Sequence, residues 1–273
     1  MSLPAVSTNI RARALERTAV ERKGCVSVLV PIYNEVEHVD ELLERIQASP
    51  VDKEIVIIDD GSTDGTRDKL MQLRPSADIT IVFHQQNCGK GAAIRTGLRY
   101  ARGEYVLIQD SDLEYDPQDY AALVEPLQNG QANVVYGVRD DHPGRGLRFF
   151  LGARLLTLLA NLLYGCGIHD EATCYKVFRR SLLNQLKLEC RRFEFCPEVT
   201  AKLSRLGEEI AEVPIHYSPR TAEEGKKIRH SDGWLAIWTL IRYRFSKKRN
   251  CVIPDGTTEM VPFPVEFFRA PAE

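Results

Sequence analysis

No stretch of this chain is apolar and long enough to cross a bilayer. The longest uncharged apolar run, Leu155 to Ile168, falls short of the roughly 18–20 residues a spanning helix needs. No two cysteines are spaced Cys-x-x-Cys, and the seven cysteines are odd in number. That argues against a zinc-thiolate centre and a closed disulfide framework, and for reduced thiols in a cytosolic protein. An excess of charge is missing too: 36 Lys and Arg against 38 Asp and Glu leave a net charge of -2. Bulk nucleic-acid binding is therefore not expected. The first 24 residues are polar and Arg-rich with no apolar stretch, so they do not read as a secretory signal. There is no internal repeat, and the one compositional bias is a Pro-rich tail after Cys251.

What is present is an ordinary soluble composition, 44% hydrophobic and 27% charged over 273 residues. That length builds one large domain or two small ones. Apolar runs predict strands at Cys25–Pro31, Glu54–Ile58, Ile79–Phe83, Tyr105–Ile108 and Asn133–Tyr136. Helical spacing predicts helices over Val36–Ala48, Thr66–Leu73, Ala92–Ala101 and Asp119–Gln128. Strands alternating with helices imply βαβ units and a mostly parallel, Rossmann-like α/β sheet flanked by helices. Further on, Leu147–Tyr164 is Leu-rich. Trp234–Phe245 carries Trp234, Trp238 and Tyr243, with Arg242, Arg244 and Lys247 to Arg249 at its basic end. Both segments read either as helices packed on the sheet or as amphipathic helices lying on a membrane surface.

The chemistry concentrates at strand ends. After Tyr105–Ile108 comes Gln109-Asp110-Ser111-Asp112-Leu113-Glu114. A buried strand ending in Asp-x-Asp sets two carboxylates at the carboxyl edge of the sheet, where open α/β folds bind ligands. Such a pair suits a hard divalent cation carrying phosphates. Four segments accompany it: Pro31-Ile32-Tyr33-Asn34-Glu35, Asp59-Asp60-Gly61-Ser62-Thr63-Asp64-Gly65-Thr66, Asn87-Cys88-Gly89-Lys90-Gly91, and the basic run Pro214 to Ile228 with Arg220 and Lys226. The second offers acceptors for a nucleobase or ribose, and the third a lysine at a helix start. The third is not a Walker A loop, because Gly-x-x-x-x-Gly-Lys-Ser/Thr is absent.

Taken in this order, the segments resemble glycosyltransferase family 2, and within it the dolichyl- and polyprenyl-phosphate mannosyltransferases and their glucosyl relatives. The resemblance spans about Val26 to Phe245. It implies a GT-A fold. It implies that Pro31, Tyr33, Glu35, Ile58 and Asp60 hold the nucleoside, and that Asp110 and Ser111 contact the nucleotide sugar. Asp112 and Glu114 would bind Mg2+ or Mn2+. Arg139 would lie near the transferred sugar and the acceptor phosphate, with Arg154 and Thr157 nearby. Arg220 and Lys226 would belong to a loop closing on the diphosphate. Asp112, Arg139 and Arg220 are the implied catalytic residues. Asp170-Glu171-Ala172-Thr173-Cys174-Tyr175-Lys176 fits a family segment that usually has glycine where Cys174 stands.

The implied organisation is an extension over 1–24, a catalytic domain over 25–230, an interfacial helix over 231–250 and a tail over 251–273. The implied function is inverting transfer of a hexose, mannose or glucose, from a GDP- or UDP-sugar to polyprenyl or dolichyl phosphate. The enzyme would sit peripherally on the cytoplasmic face of a membrane. Two alternatives stay open: a soluble or polysaccharide hydroxyl acceptor, and a non-catalytic nucleotide-sugar-binding protein.

Overall fold

The computed structural model describes residues 21–73, 78–140, 147–220, 230–247, 251–253 and 265–267. One sheet contains β1 (Arg22–Ile32), β2 (Lys53–Asp59), β3 (Ile79–His84), β4 (Gly103–Ile108), β5 (Val134–Arg139), β6 (Lys176–Arg179), β7 (Ala211–Ile215) and β8 (Val265–Phe267). Their order across it is β7-β5-β6-β4-β1-β2-β3-β8. β1 to β4 are mutually parallel, as are β5 and β7; β6 and β8 run antiparallel to their neighbours. The helices are α1 (Val39–Ala48), α2 (Thr66–Gln72), α3 (Lys90–Leu98), α4 (Tyr120–Gln128), α5 (Leu147–Tyr164), α6 (Arg180–Gln185), α7 (Phe195–Leu206) and α8 (His230–Phe245).

The parallel centre forms because β1, β2 and β4 each carry a run of consecutive buried apolar residues, Val28–Val30, Ile55–Ile58 and Tyr105–Ile108, so both sheet faces can be covered by helices. α1 turns Val39, Leu42, Leu43 and Ile46 inward at helical spacing. α3 is buried from Gly91 to Leu98, and its small residues let it lie close to the sheet. A Cβ on Gly97 would stand 2.6 Å from Ile58 Cδ1. At the amino ends of the central strands, buried Glu54 accepts from Ser27 Oγ at 2.6 Å, Arg102 Nε at 2.7 Å and Gly103 N at 3.1 Å. A carboxylate can be buried there because its lone pairs are met.

β1 has β2 on one side and β4 on the other, so the chain's direction of travel through the sheet reverses there. The loops after β1, β2 and β4 therefore share one crevice at the strands' carboxyl ends, and these three loops carry the expected motifs.

The strand ends differ from the sequence reading in informative ways. β1 begins at Arg22, inside the expected lead-in, because Arg22 N donates to Arg102 O at 2.8 Å and its guanidinium pairs with Asp78 and Asp52. β5 runs on to Arg139 and so carries that residue to the sheet edge. β7 contains Pro214, which an edge strand tolerates. Among the described residues no helix is long and apolar enough to cross a membrane. Ala236, Leu240 and Tyr243 are the inward face of α8, which packs on α7 and α5. Tyr243 thus leaves the expected interfacial set: it is buried, and its hydroxyl, a single donor, lies between two acceptors, Glu189 Oε2 at 2.9 Å and Glu198 Oε1 at 2.8 Å. Lys248 and Arg249 lie outside the described residues.

Gly61 turns the chain after β2 with φ +77, and a Cβ there would meet Gln86 C at 2.5 Å. Gly61→Ala should lower stability by ~2 kcal/mol or more. The check is the urea midpoint; an unchanged midpoint would contradict this reading of the turn.

Candidate active site

The site is built from the exit of β4. Gln109 is fully buried, and its Oε1 accepts from Tyr120 OH at 2.5 Å and Tyr175 OH at 2.7 Å, while Nε2 donates to Asp110 O at 2.9 Å. This clamp fixes where the chain leaves the sheet. Leu113 then adopts φ +59, a left-handed turn that a branched residue takes only when its surroundings impose it. The turn sets Asp112 and Glu114 side by side, with Glu114 N donating to Asp112 Oδ1 at 3.3 Å.

The segment after β7 lies across these acids as a strap. Glu114 Oε2 accepts from Tyr217 OH at 2.7 Å, Oε1 accepts from Arg220 N at 2.8 Å, and its carbonyl accepts from Ser218 N at 2.8 Å. Anchored this way, Arg220 extends its guanidinium to Glu35 Oε2 at 3.3 Å. Two other sequence-expected residues, Glu35 and Glu114, are thereby joined through Arg220. Lys226 lies outside the described residues.

The acids are crowded. Lys90, first residue of α3, holds Asp110 at 2.5 Å; burial is the largest influence and disfavours its charge, but Asp110 together with Cys174 and Cys196 outweighs burial and keeps the ammonium pKa well above its usual value. Asp112 has no such cation. Burial first, and then the like charges of Asp110 and Glu114, push its carboxyl up to about 7. Closely set carboxylate oxygens are the donor set that Mg2+ or Mn2+ prefers, and Asp112 has oxygens to offer; each Glu114 oxygen already accepts once, from Tyr217 OH or Arg220 N, and would meet the cation on its second lone pair.

Arg139 is committed rather than open. Its Nε and Nη2 grip Asp170 Oδ2 at 2.6 Å and Oδ1 at 2.7 Å, Nη1 donates to Tyr115 OH at 3.4 Å, and the guanidinium stacks on Tyr217 at 5.1 Å. Behind Asp170, Glu171 is fully enclosed and burial raises its carboxyl to about 6. Thr157 reaches this segment by a structural route: its hydroxyl donates to Ala153 O at 3.0 Å and accepts from Glu171 N at 3.1 Å. It is a buried brace beneath the Asp170–Glu171 segment. Arg154 is exposed, with its guanidinium over Phe150 at 5.2 Å. Cys174 does not adopt a positive φ, so the backbone there has no need of the usual glycine.

On the nucleoside side, the β1 and β2 loops are laced together. Asn34 N donates to Ser62 Oγ at 2.9 Å, Thr63 N to Asn34 Oδ1 at 2.8 Å and Glu35 N to Thr66 Oγ1 at 2.9 Å. Tyr33 is half-buried on the loop after β1, and Ser111 is buried on the loop after β4. Pro31 is buried in β1, and Ile58 is a core residue packed under Gly97, so these two offer the crevice backbone rather than side chains. Asp60 accepts from Cys88 N at 2.9 Å, Gly89 N at 2.7 Å and His84 Nδ1 at 2.7 Å. Among the described residues, Asp60, His84 and Cys88 form the one group of three whose ligating atoms lie within 4.8 Å of one another. Both Asp60 oxygens already accept, and His84 Nε2 meets Thr96 Oγ1 at 2.9 Å. The trio works as a hydrogen-bonded clamp that places the loop leading to Lys90. Neither it nor the Arg139–Asp170 pair follows from local sequence pattern, since both join residues distant along the chain.

The chain is similar to known proteins in sequence and in fold. The model of glycosyl transferase family 2 matches residues 27–187. The dodecaprenyl-phosphate galacturonate synthase of Rhizobium johnstonii is 31% identical over 192 residues, 67% of this chain and 57% of that protein. The undecaprenyl-phosphate 4-deoxy-4-formamido-L-arabinose transferase of Pseudomonas fluorescens is 30% identical over 209 residues, 74% of this chain and 60% of that protein. The chain thus spans under two thirds of the length of these relatives. Glucosyl-3-phosphoglycerate synthase of Mycobacterium tuberculosis, solved with Mn2+, UDP and glucosyl-3-phosphoglycerate, superposes with TM-score 0.63 at 22% identity, covering 98% of this chain and 94% of that one. Mannosyl-3-phosphoglycerate synthase of Rubrobacter xylanophilus gives TM-score 0.62 at 20% identity, covering 80% and 72%. These structural neighbours establish a GT-A fold.

The crowding of acids has a measurable sign. Asp112 has a folded pKa of about 7 against 3.8 when unperturbed. The native state therefore binds more protons between those values, and metal-free protein should lose stability as pH rises through that window. Asp112→Asn removes this loss. In chelator, the variant and wild type should melt alike near pH ~4, and the variant should gain by at most about 4 kcal/mol above neutrality. A gain independent of pH would contradict the assignment.

Proposed function

The chain belongs to glycosyltransferase family 2, and from that premise we propose that it transfers a hexose from a nucleoside diphosphate sugar to a polyprenyl phosphate at a membrane surface. The observation that carries this reading is the strap. It brings Arg220, Glu35, Asp112 and Glu114 into one crevice, an arrangement suited to a diphosphate with a cation. The activities of the sequence relatives, both on polyprenyl phosphates, support the acceptor class. Their sugars, galacturonate and formamido-arabinose, differ from the mannose or glucose expected here, so the donor screen must include UDP- and GDP-linked hexoses and both of those sugars.

In this reading the laced loops with Tyr33, Glu35 and Asp60 hold the nucleoside, and Asp110 and Ser111 meet the sugar. Asp112 and Glu114 would hold Mg2+ or Mn2+, whose chemistry there is charge stabilisation of the departing diphosphate. Arg220 turns from Glu35 to that diphosphate, its backbone still fixed on Glu114. The acceptor phosphate competes with Asp170 for Arg139. A phosphate monoester, with a second pKa near ~6, is already largely ionised, so direct inverting displacement needs no general base.

The membrane surface is supported by exposed apolar residues on two packed helices. Leu151, Leu155, Leu158 and Leu162 form one stripe on α5, and Trp234, Trp238 and Phe245 face outward from α8. A helix with its aromatic side outward suits a lipid interface. The cysteine usage, which suits reduced thiols, supports placing that surface on the cytoplasmic face.

Turnover should require Mg2+ or Mn2+, vanish in chelator, and be lost in a folded Asp112→Ala protein. Arg220→Ala should lower kcat by about 10²–10³-fold. Transfer to a soluble hydroxyl with none to polyprenyl phosphate would overturn the acceptor assignment. Replacing Trp234 and Trp238 by Ser should separately release the protein from anionic vesicles while nucleotide binding persists. Retention equal to wild type would place the membrane contact elsewhere.

A further inference from the structure

A cavity of about 590 Å³ opens where the carboxyl ends of α5, α7 and α8 meet, lined by Leu162, Leu163, Tyr164, Ser204, Arg205 and Arg244 among others. That size suits a small-molecule head. No carboxylate lines it, while two guanidiniums do. Arg205 spends Nη1 on Tyr243 O and on Ser246 Oγ, and its Nε and Nη2 bond no described residue. Arg244 is exposed and forms no ion pair with a described residue. Both arginines act on the same point: burial raises the Tyr164 phenol pKa, and Arg205 and Arg244 oppose that rise. The phenol is itself fixed, donating to Leu240 O at 2.6 Å.

The rim is apolar. Leu162, 79% exposed, lines the cavity and also ends the stripe of Leu151, Leu155 and Leu158. Phe245, next to Arg244, is 80% exposed. A cationic hollow joined to an outward leucine face calls for a ligand with an anionic head and an apolar tail. A free anion would leave the stripe unused, and an apolar ligand would give the two guanidiniums no anionic partner. We infer that this cavity binds the headgroup of an anionic phospholipid, with Arg205 and Arg244 on the phosphate and the acyl chains along Leu162, Leu158 and Leu155. It is separate from the acids of the transfer site and needs neither donor nor acceptor.

The inference rests on the membrane-surface reading, and its test separates the two. Full-length protein is titrated with monomeric dihexanoylphosphatidylglycerol, dihexanoylphosphatidylcholine and inorganic phosphate, and binding is read calorimetrically. The phosphatidylglycerol should bind most tightly. Arg244→Gln should weaken it about fivefold, the equivalent of about 1 kcal/mol per basic residue near a lipid phosphate. Arg205→Gln with Arg244→Gln should weaken it roughly 30-fold. Lys247→Gln, exposed on the same segment but outside the cavity lining, should change it less than Arg244→Gln. Because Arg205 also binds α8 backbone, the single Arg244→Gln variant is the deciding one. Equal binding by wild type and Arg244→Gln would overturn the site, and equally tight binding of inorganic phosphate would overturn the lipid assignment. Vesicle co-sedimentation runs alongside: wild type staying in the supernatant at low salt with every vesicle would sink the surface reading, whatever the monomer titration shows.

Discussion

The Glu114 carboxylate ties the two halves of this protein together. Its oxygens accept from Tyr217 OH and Arg220 N, residues more than a hundred positions later in the chain. Without that anchor Arg220 would not reach Glu35, and the crevice at the carboxyl ends of β1, β2 and β4 would have no cover. The same contact concentrates negative charge. Asp110 is compensated by Lys90, and Glu114 by a hydroxyl and an amide, but Asp112 is left beside two acids in a partly buried place. Buried like charges persist in a native site only when something else offsets them. In the proposed reaction a divalent cation with a nucleoside diphosphate does so.

The arginines divide the labour. Arg220 has a strap-borne backbone and a modest ion pair at 3.3 Å, which makes it ready to change partners. Arg139 has a tight bidentate partner in Asp170, a phenol and a ring. Its partner exchange demands a strong competing anion, and a phosphate dianion is one. In the proposed reaction this requirement would let the site discriminate a phosphate acceptor from a neutral hydroxyl.

The parallel core was legible because apolar runs at Val28–Val30, Ile55–Ile58 and Tyr105–Ile108 leave a buried strand as the consistent reading. The motif loops were legible because glycine and aspartate cluster where those runs stop. β6 and β7 were not: one is four residues with a lysine and an arginine, the other holds a glutamate and a proline, and only their long-range partners make them strands. The same holds for side-chain roles. The residue types at Asp112, Glu114 and Arg220 pointed to the crevice, but Thr157 and Ile58 turned out to face inward, and the partners of Arg139 and Asp60 lie far away in sequence. The outward Trp234 and Trp238 were visible as a pattern; that Tyr243 on the same helix points inward depends on Glu189 and Glu198.

The most direct test of the cation-centred account is proton release on Mn2+ binding, measured by titration calorimetry in buffers of different ionisation heat. Cation ligands must be deprotonated, so a carboxyl near pKa 7 gives up its proton when Mn2+ binds. The account predicts release of about half a proton near pH 7, falling to none by about pH 9, and loss of the binding itself in Asp112→Asn. Mn2+ binding with no proton release near neutral pH, or binding undiminished in Asp112→Asn, would contradict it.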